Sequence, residues 1–295
     1  MVKKPELRTE LGKMMVPILV GMTARGPDSA GLAVFTDPVP GSGRKYSLYA
    51  DGRAGGSDFN WGGLHHDFGA HLGVESQVQA HGNHAVLATT LEPKAVRVWL
   101  AEHYPQLHLL SAGRAMDLYK DVGTPRQVAD RYGFARFAGT HVVGHTRMAT
   151  ESAVTPDRAH PFTAGEDFCL VHNGTISNPF QIRRQLEHRG IRFQTDNDTE
   201  AACRFLEWRM REGDDLESAL QQGFEVFDGF YTLLMGTGDK LALVRDAFSC
   251  KPAVVVETDD YVAISSEFHA LAHLPDVTNA RIFEPAPEEI YSWTI

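Results

Sequence analysis

Cysteine is scarce in this 295-residue chain: only Cys169, Cys203 and Cys250 are present, an odd and widely spaced set. Such a set excludes a disulfide framework, offers no close pair for a metal and suits a reducing cytoplasm. Long apolar runs are missing as well. Nothing approaches the roughly 18 uninterrupted apolar residues of a membrane span. Residues 14–22 resemble the core of a signal peptide, but Glu6 and Glu10 stand among Lys3, Lys4, Arg8 and Lys13, and no clean small-residue cleavage site follows. Positive charge is in deficit, 28 Lys and Arg against 38 Asp and Glu. The net −10 argues against nucleic acid or an anionic membrane as the main partner. There is no Gly-rich phosphate loop of either standard spacing, no flavin or nicotinamide fingerprint and no internal repeat. The histidines, His65-His66 included, lack ligand spacing, so neither a metal nor a cofactor is expected.

What is present reads as a globular α+β chain, with 43% apolar and 22% charged residues. Leu7, Leu11, Met14, Met15, Ile18, Leu19 and Met22 fall on one face at helical spacing, with Pro17 inside the run. Arg25 to Gly31 breaks this helix before a strand over residues 32–35. Residues 45–140 are the least legible stretch and are treated as an α+β insertion. Within them strands are predicted at 86–90 and 107–111, and helices at 93–104 and 125–132. Further on, strands are expected at 141–144 and 168–172. Asn178-Pro179 reads as a cap and first turn of a helix that stops at Gly190, and Asp198 as the cap of the next. After a third helix near 216–224, two hairpins follow, turning at Thr237-Gly238-Asp239 and Thr258-Asp259-Asp260.

Four segments carry polar residues worth weighing. Arg147, ending Gly144-His145-Thr146-Arg147, stands at a strand end, where a guanidinium grips a carboxylate with two parallel bonds; a surface arginine paired with some Asp is the plainer alternative. Asn173-Gly174 reads as a tight hairpin turn, or as an amide beside a glycine N–H, two adjacent donors suited to an oxyanion. Asp198 is sufficiently explained as a helix cap, although a carboxylate there also suits a substrate ammonium. Arg25 to Gly31 reads as a rigid turn. Asn173-Gly174-Thr175 and Asn197-Asp198-Thr199 match glycosylation sequons, discounted without a secretory signal.

Taken together and in order, these segments resemble the class II glutamine amidotransferases, a branch of the N-terminal-nucleophile hydrolases. The resemblance is carried by Arg25-Gly26-Pro27-Asp28-Ser29-Ala30-Gly31, His145-Thr146-Arg147 with Ala149-Thr150, Ala159-His160-Pro161-Phe162, His172-Asn173-Gly174-Thr175-Ile176-Ser177-Asn178 and Asp198-Thr199-Glu200. Met148 to Val154 and Tyr119 to Gly123 look like the amidotransferase subunit of N-methylglutamate synthase, a relative of glutamate synthase. The resemblance implies one amidotransferase domain over 1–295 with a four-layer α/β/β/α sandwich, and hydrolysis of the glutamine side-chain amide through a thioester. It implies that Arg147, assisted by Thr150, binds the L-glutamine α-carboxylate and that Asp198 meets the α-ammonium. Asn173 and Gly174 would stabilise the oxyanion, worth roughly 3 kcal/mol per donor. Ammonia would pass to partner synthase subunits, flavin-containing in related complexes, in the cytoplasm.

The chain departs from the family at one point. The family opens on Cys-Gly in a strand ahead of the Arg-Gly segment, and here Met1-Val2-Lys3-Lys4 stands before Arg25. The expected fold is therefore the sandwich without its first strand. None of the three cysteines replaces the missing one, since the chemistry needs a thiol and a free α-amine on one residue; Cys169 and Cys203 are expected in the core. Two functions follow: a glutaminase subunit whose nucleophile lies outside this sequence, or a non-catalytic binding or scaffolding subunit of the same complex.

Overall fold

The computed structural model describes residues 1–50, 59–148, 155 and 158–295. A short 3₁₀ helix, Pro5–Glu10, leads into α1 (Leu11–Gly21), followed by β1 (Ser29–Phe35) and β2 (Arg44–Ala50). Next come α2 (Trp61–Leu72), β3 (Ser76–His81), β4 (His84–Thr89), α3 (Pro93–His103), β5 (Leu107–Gly113), β6 (Met116–Val122), α4 (Pro125–Tyr132) and β7 (His141–Arg147). β8 (Phe162–Thr163), β9 (Cys169–Ile176), α5 (Pro179–Glu187), α6 (Asp198–Arg211) and α7 (Leu216–Val226) continue the chain. It closes with β10 (Gly229–Gly236), β11 (Lys240–Arg245), β12 (Val254–Glu257), β13 (Val262–Ser265), β14 (Arg281–Phe283) and β15 (Tyr291–Thr294).

Two layers of sheet lie between layers of helix. The inner sheet runs β15-β11-β10-β9-β8, and two three-stranded sheets, β6-β1-β7 and β13-β12-β14, form the layer facing it. Alternation along the strands builds the sandwich, because successive side chains point to opposite faces. On β1, Ala33 and Phe35 join Cys169, Val171 and Leu241 between the sheets, while Ala30 and Leu32 meet Val16 and Leu19 of α1 and Val128 of α4. On the far side of the inner sheet, Leu170, Leu233, Met235 and Val244 pack against Ile182, Leu186, Phe205 and Leu220 of the three helices. The four-layer order is the one the resemblance implies.

β2, β3, β4 and β5 form a sheet of their own, in the order β3-β4-β2-β5, with α2 and α3 burying Leu64, Phe68, Trp99 and Leu100 against Tyr46, Leu48 and Leu87. β6 rejoins the main body by pairing antiparallel with β1, Leu32 opposite Tyr119. The predicted apolar stripe of α1 is real, with Leu11, Ile18 and Leu19 buried, and Pro17 lies within the helix. Cys169 and Cys203 are buried as expected, whereas Cys250 is exposed. No helix among the described residues is long and apolar enough to cross a membrane.

Candidate functional site

Several of the candidate residues also admit a plain turn or cap reading, and local geometry decides between the alternatives. Asn173-Gly174 is not a hairpin turn. β9 runs straight through it, with Asn173 opposite Thr232 and Gly174 opposite Tyr231 of β10. Gly174 holds φ at +135°, and a Cβ there would lie 2.1 Å from the Phe230 carbonyl oxygen. Only glycine fits such a backbone in so close an approach. Asp198 is not the cap of α6 either: Asn197 takes that place, its Oδ1 accepting the Thr199 N–H at 2.8 Å. Asp198 thus opens the helix with its carboxylate free of the cap, and Oδ2 accepts the Ile176 N–H of β9 at 3.0 Å. Asn178 precedes α5 without capping it; its amide instead joins Val226 O and the Asp228 N–H, tying the end of β9 to the start of β10.

Arg147 ends β7, paired with Ser29 of β1. Its carbonyl accepts the Asp28 N–H at 3.0 Å, so the Arg25 to Gly31 segment holds the arginine's backbone rather than forming an isolated turn. Its guanidinium donates to the Arg158 carbonyl at 3.4 Å. Thr150, and residues 149–154 of the segment around it, lie outside the described residues.

Arg147, Asn173, Gly174 and Asp198 line one cavity of about 400 Å³. That is within the range of small-molecule sites. Three histidines that sequence reasoning left without a role, His145, His160 and His172, also line it, with Thr199 between two of them. Their segments belonged to the motifs, but periodicity and spacing gave no sign that they meet. His145 and His160 stack with centroids 4.3 Å apart. Gly31 makes room for this corner, since a Cβ there would strike the His160 carbonyl oxygen at 2.0 Å. Burial lowers all three pKa values, His145 to about 4 with His172 adding to the effect, so the imidazoles are neutral near pH 7. The charged side chains lining the cavity are therefore Arg147, Asp198 and Arg25, the last paired with Glu267 at 3.0 Å.

The cavity also separates two open strand edges. β7 ends one three-stranded sheet and β13 ends the other, and residues of both line the cavity, Val142 and Gly144 to Arg147 of β7 and Val262 to Ser265 of β13. At one end Met1 and Val2 bridge them. The Val2 N–H donates to Thr140 O at 2.9 Å, while the Met1 amine donates to Val262 O at 2.8 Å and the Val262 N–H to Met1 O at 2.9 Å. A single extended segment bonds both sides there, so the edges stand two strand spacings apart, roughly 9–10 Å. Beyond Met1 the gap continues as cavity, floored by Leu234, Leu241 and Leu243 and roofed by Met14, Met15 and Leu19 of α1. None of the three cysteines lines it. Burial raises the Cys169 thiol to about 12 and the Cys203 thiol well above its usual value, which leaves both inert as nucleophiles.

Comparison with known proteins follows the same lines. The model of a glutamine amidotransferase domain matches residues 145–273. The chain is 43% identical over 292 residues to the glutamine amidotransferase-like protein GlxB of Rhizobium meliloti, covering 99% of this chain and 95% of that protein. It is 29% identical over 296 residues to a putative glutamine amidotransferase of Methanothermobacter thermautotrophicus, covering 95% and 94%. Among solved structures, glutamine phosphoribosylpyrophosphate amidotransferase from B. subtilis superposes with a TM-score of 0.60 over 96% of this chain at 18% identity. The chain spans 45% of that longer protein, so the likeness is one of fold. The chain belongs to the glutamine amidotransferases and has the fold of their class II, N-terminal-nucleophile branch.

Proposed function

We propose that this protein is the glutamine-binding, ammonia-releasing component of a synthase, and that the cavity between β7, β9 and α6 holds L-glutamine. The observation that carries the reading is the convergence of Arg147, Asn173, Gly174 and Asp198, from three separate elements, on one cavity. Arg147 takes the α-carboxylate, where a planar fork binds better than a point charge. Asp198 takes the α-ammonium. The Asn173 amide and the Gly174 N–H receive the oxyanion as the side-chain amide is attacked. Thr150 is assigned a supporting place at the carboxylate by resemblance alone.

The attacking thiol is the part the cavity does not supply. We assign it to an extended segment laid in the gap between β7 and β13, where Met1 and Val2 already form the first rungs. A thiol and α-amine on one residue at its end would give attack, thioester formation and hydrolysis with an internal base. The synthase that accepts the ammonia is proposed to be an N-methylglutamate or glutamate synthase, on the likeness of residues 119–123 and 148–154. The scaffolding alternative shares the pocket and differs only in lacking the chemistry.

Calorimetric titration tests the binding half: L-glutamine should bind, and L-asparagine, one methylene shorter, should bind at least tenfold more weakly. No glutamine binding at millimolar concentration would refute the assignment. For the chemical half, a chain extended ahead of Met1 by an apolar strand opening on Cys-Gly should release ammonia from glutamine, and the same extension opening on Ala-Gly should not. Silence from both extended chains, with binding intact, would favour the scaffold.

A further inference from the structure

Thr199 is buried at the start of α6, and its hydroxyl has three polar neighbours. Oγ1 lies 2.9 Å from His160 Nε2, 3.0 Å from His172 Nδ1 and 3.4 Å from Asp198 Oδ1. The other nitrogen of each ring, His160 Nδ1 and His172 Nε2, is buried with no hydrogen-bond partner among the described residues. A count of protons constrains this cluster. A hydroxyl has one proton to give and two lone pairs to fill, and a neutral imidazole carries one N–H and one lone pair. If Thr199 gave its proton to either ring, that ring's own N–H would sit on the orphaned nitrogen, buried without an acceptor. Buried N–H groups without partners are the rarer and costlier kind of orphan. If instead both rings donate to Oγ1, the hydroxyl is saturated and its proton is left for Asp198. Both orphaned nitrogens are then lone pairs. His172 Nδ1 also lies 3.8 Å from Asp198 Oδ1, which favours a proton on that nitrogen.

We propose that Thr199 is a positioning residue. It accepts the Nε2–H of His160 and the Nδ1–H of His172 and directs its own proton onto Asp198, so that the carboxylate is oriented into the cavity. The two rings are thereby locked in different tautomers, His172 in the form less common for free imidazole. The cluster joins three parts of the site. His160 comes from the loop before β8, His172 is adjacent to Asn173 on β9, and Asp198 neighbours Thr199 on α6. A hydroxyl that collects two donors and polarises a third bond is a small cooperative network. Its effect on glutamine rests on the function proposed above; its tautomers do not.

Two measurements separate those claims. Long-range ¹H–¹⁵N correlation spectra of histidine-labelled protein at pH 7, assigned with H160Q and H172Q, should show His160 protonated at Nε2 and His172 at Nδ1. Either ring in the opposite tautomer would overturn the proposal whether or not glutamine binds. In T199V, which keeps the shape and removes the hydroxyl, His160 Nε2–H and His172 Nδ1–H lose their shared acceptor, so both ring N–H resonances should move upfield and the glutamine Kd should rise about tenfold. T199S should restore the resonance positions and bring the Kd back to within about threefold. Unchanged His172 signals in a folded T199V, or a T199S as impaired as T199V, would also refute it. If no variant and no parent binds glutamine, the functional reading falls while the wild-type tautomers still decide the role of Thr199.

Discussion

Replacing Asp198 by Asn removes one negative charge from the cavity while keeping the shape of the side chain. In the folded protein the carboxylate accepts the Ile176 N–H with Oδ2 at 3.0 Å, and its side chain is 24% exposed. Asn can keep that bond through its own carbonyl oxygen, so the helix start should survive, while its NH2 replaces the oxygen that accepts from Thr199 and should cost about 1–2 kcal/mol. The charge is what a glutamine ammonium would lose. At ~4 Å and an effective dielectric near 20 the direct attraction is about 4 kcal/mol, an upper figure before desolvation is subtracted. Hydrogen bonds to charged groups retain about 1.5–3 kcal/mol, which corresponds to roughly 10- to 150-fold in Kd. The assay is calorimetric titration of parent and D198N with L-glutamine and with the analogue that has no α-amino group. D198N should lose affinity for glutamine by that factor and leave the analogue unchanged. An equal loss for both ligands would place the effect in the shape of the pocket, and no loss for either would remove Asp198 from the ammonium site.

Arg147→Ala should weaken glutamine binding by a further one to two orders of magnitude, and Arg147→Lys should recover little of it, because an ammonium cannot reproduce the two-pronged contact; full recovery by Lys would contradict the assignment. Gly174→Ala should destabilise the fold by roughly 2–4 kcal/mol, combining backbone strain at φ +135° with a Cβ 2.1 Å from a carbonyl oxygen. A urea midpoint unchanged from the parent would show that β9 tolerates a side chain there. Acid should unfold the protein before its carboxylates titrate. Burial lowers His84 and His141 to about 3, so they stay neutral in the fold and take up protons when unfolded. Their contribution is complete above the unfolded pKa near 6.5 and is lost as pH falls from there toward 3. Two such protons give a slope of roughly 2.7 kcal/mol per pH unit between about pH 6 and 4, and a flat urea midpoint over that interval would contradict it.

The legible elements share a physical cause. α1, α3 and α4 show their apolar spacing, and the hairpins between β10 and β11 and between β12 and β13 announce their turns, because periodicity and turn chemistry are local properties. β2, α2 and β3 leave no comparable signal. α2 carries three glycines and three histidines and has weak periodicity, and β3 is largely exposed, so neither writes a strong pattern. The cap of α6 is ambiguous by one residue for a related reason: Asn197 and Asp198 are equally good caps by type. Only the turn of the backbone selects Asn197 and releases Asp198.

The sequence alone settled composition class, the order of the motifs and the burial of Cys169 and Cys203, since these depend on residue type and short-range pattern. It held the candidate residues as scattered ambiguities: an arginine at a strand end, an Asn-Gly pair that mimics a turn, an aspartate that mimics a cap. Tertiary structure alone brought Arg147, Asn173 and Asp198 to one cavity, placed Thr199 between two histidines and opened the gap between β7 and β13. Those facts arise from strand pairing and sheet stacking between residues far apart in the chain, and such contacts leave no period or spacing for a linear reading to find.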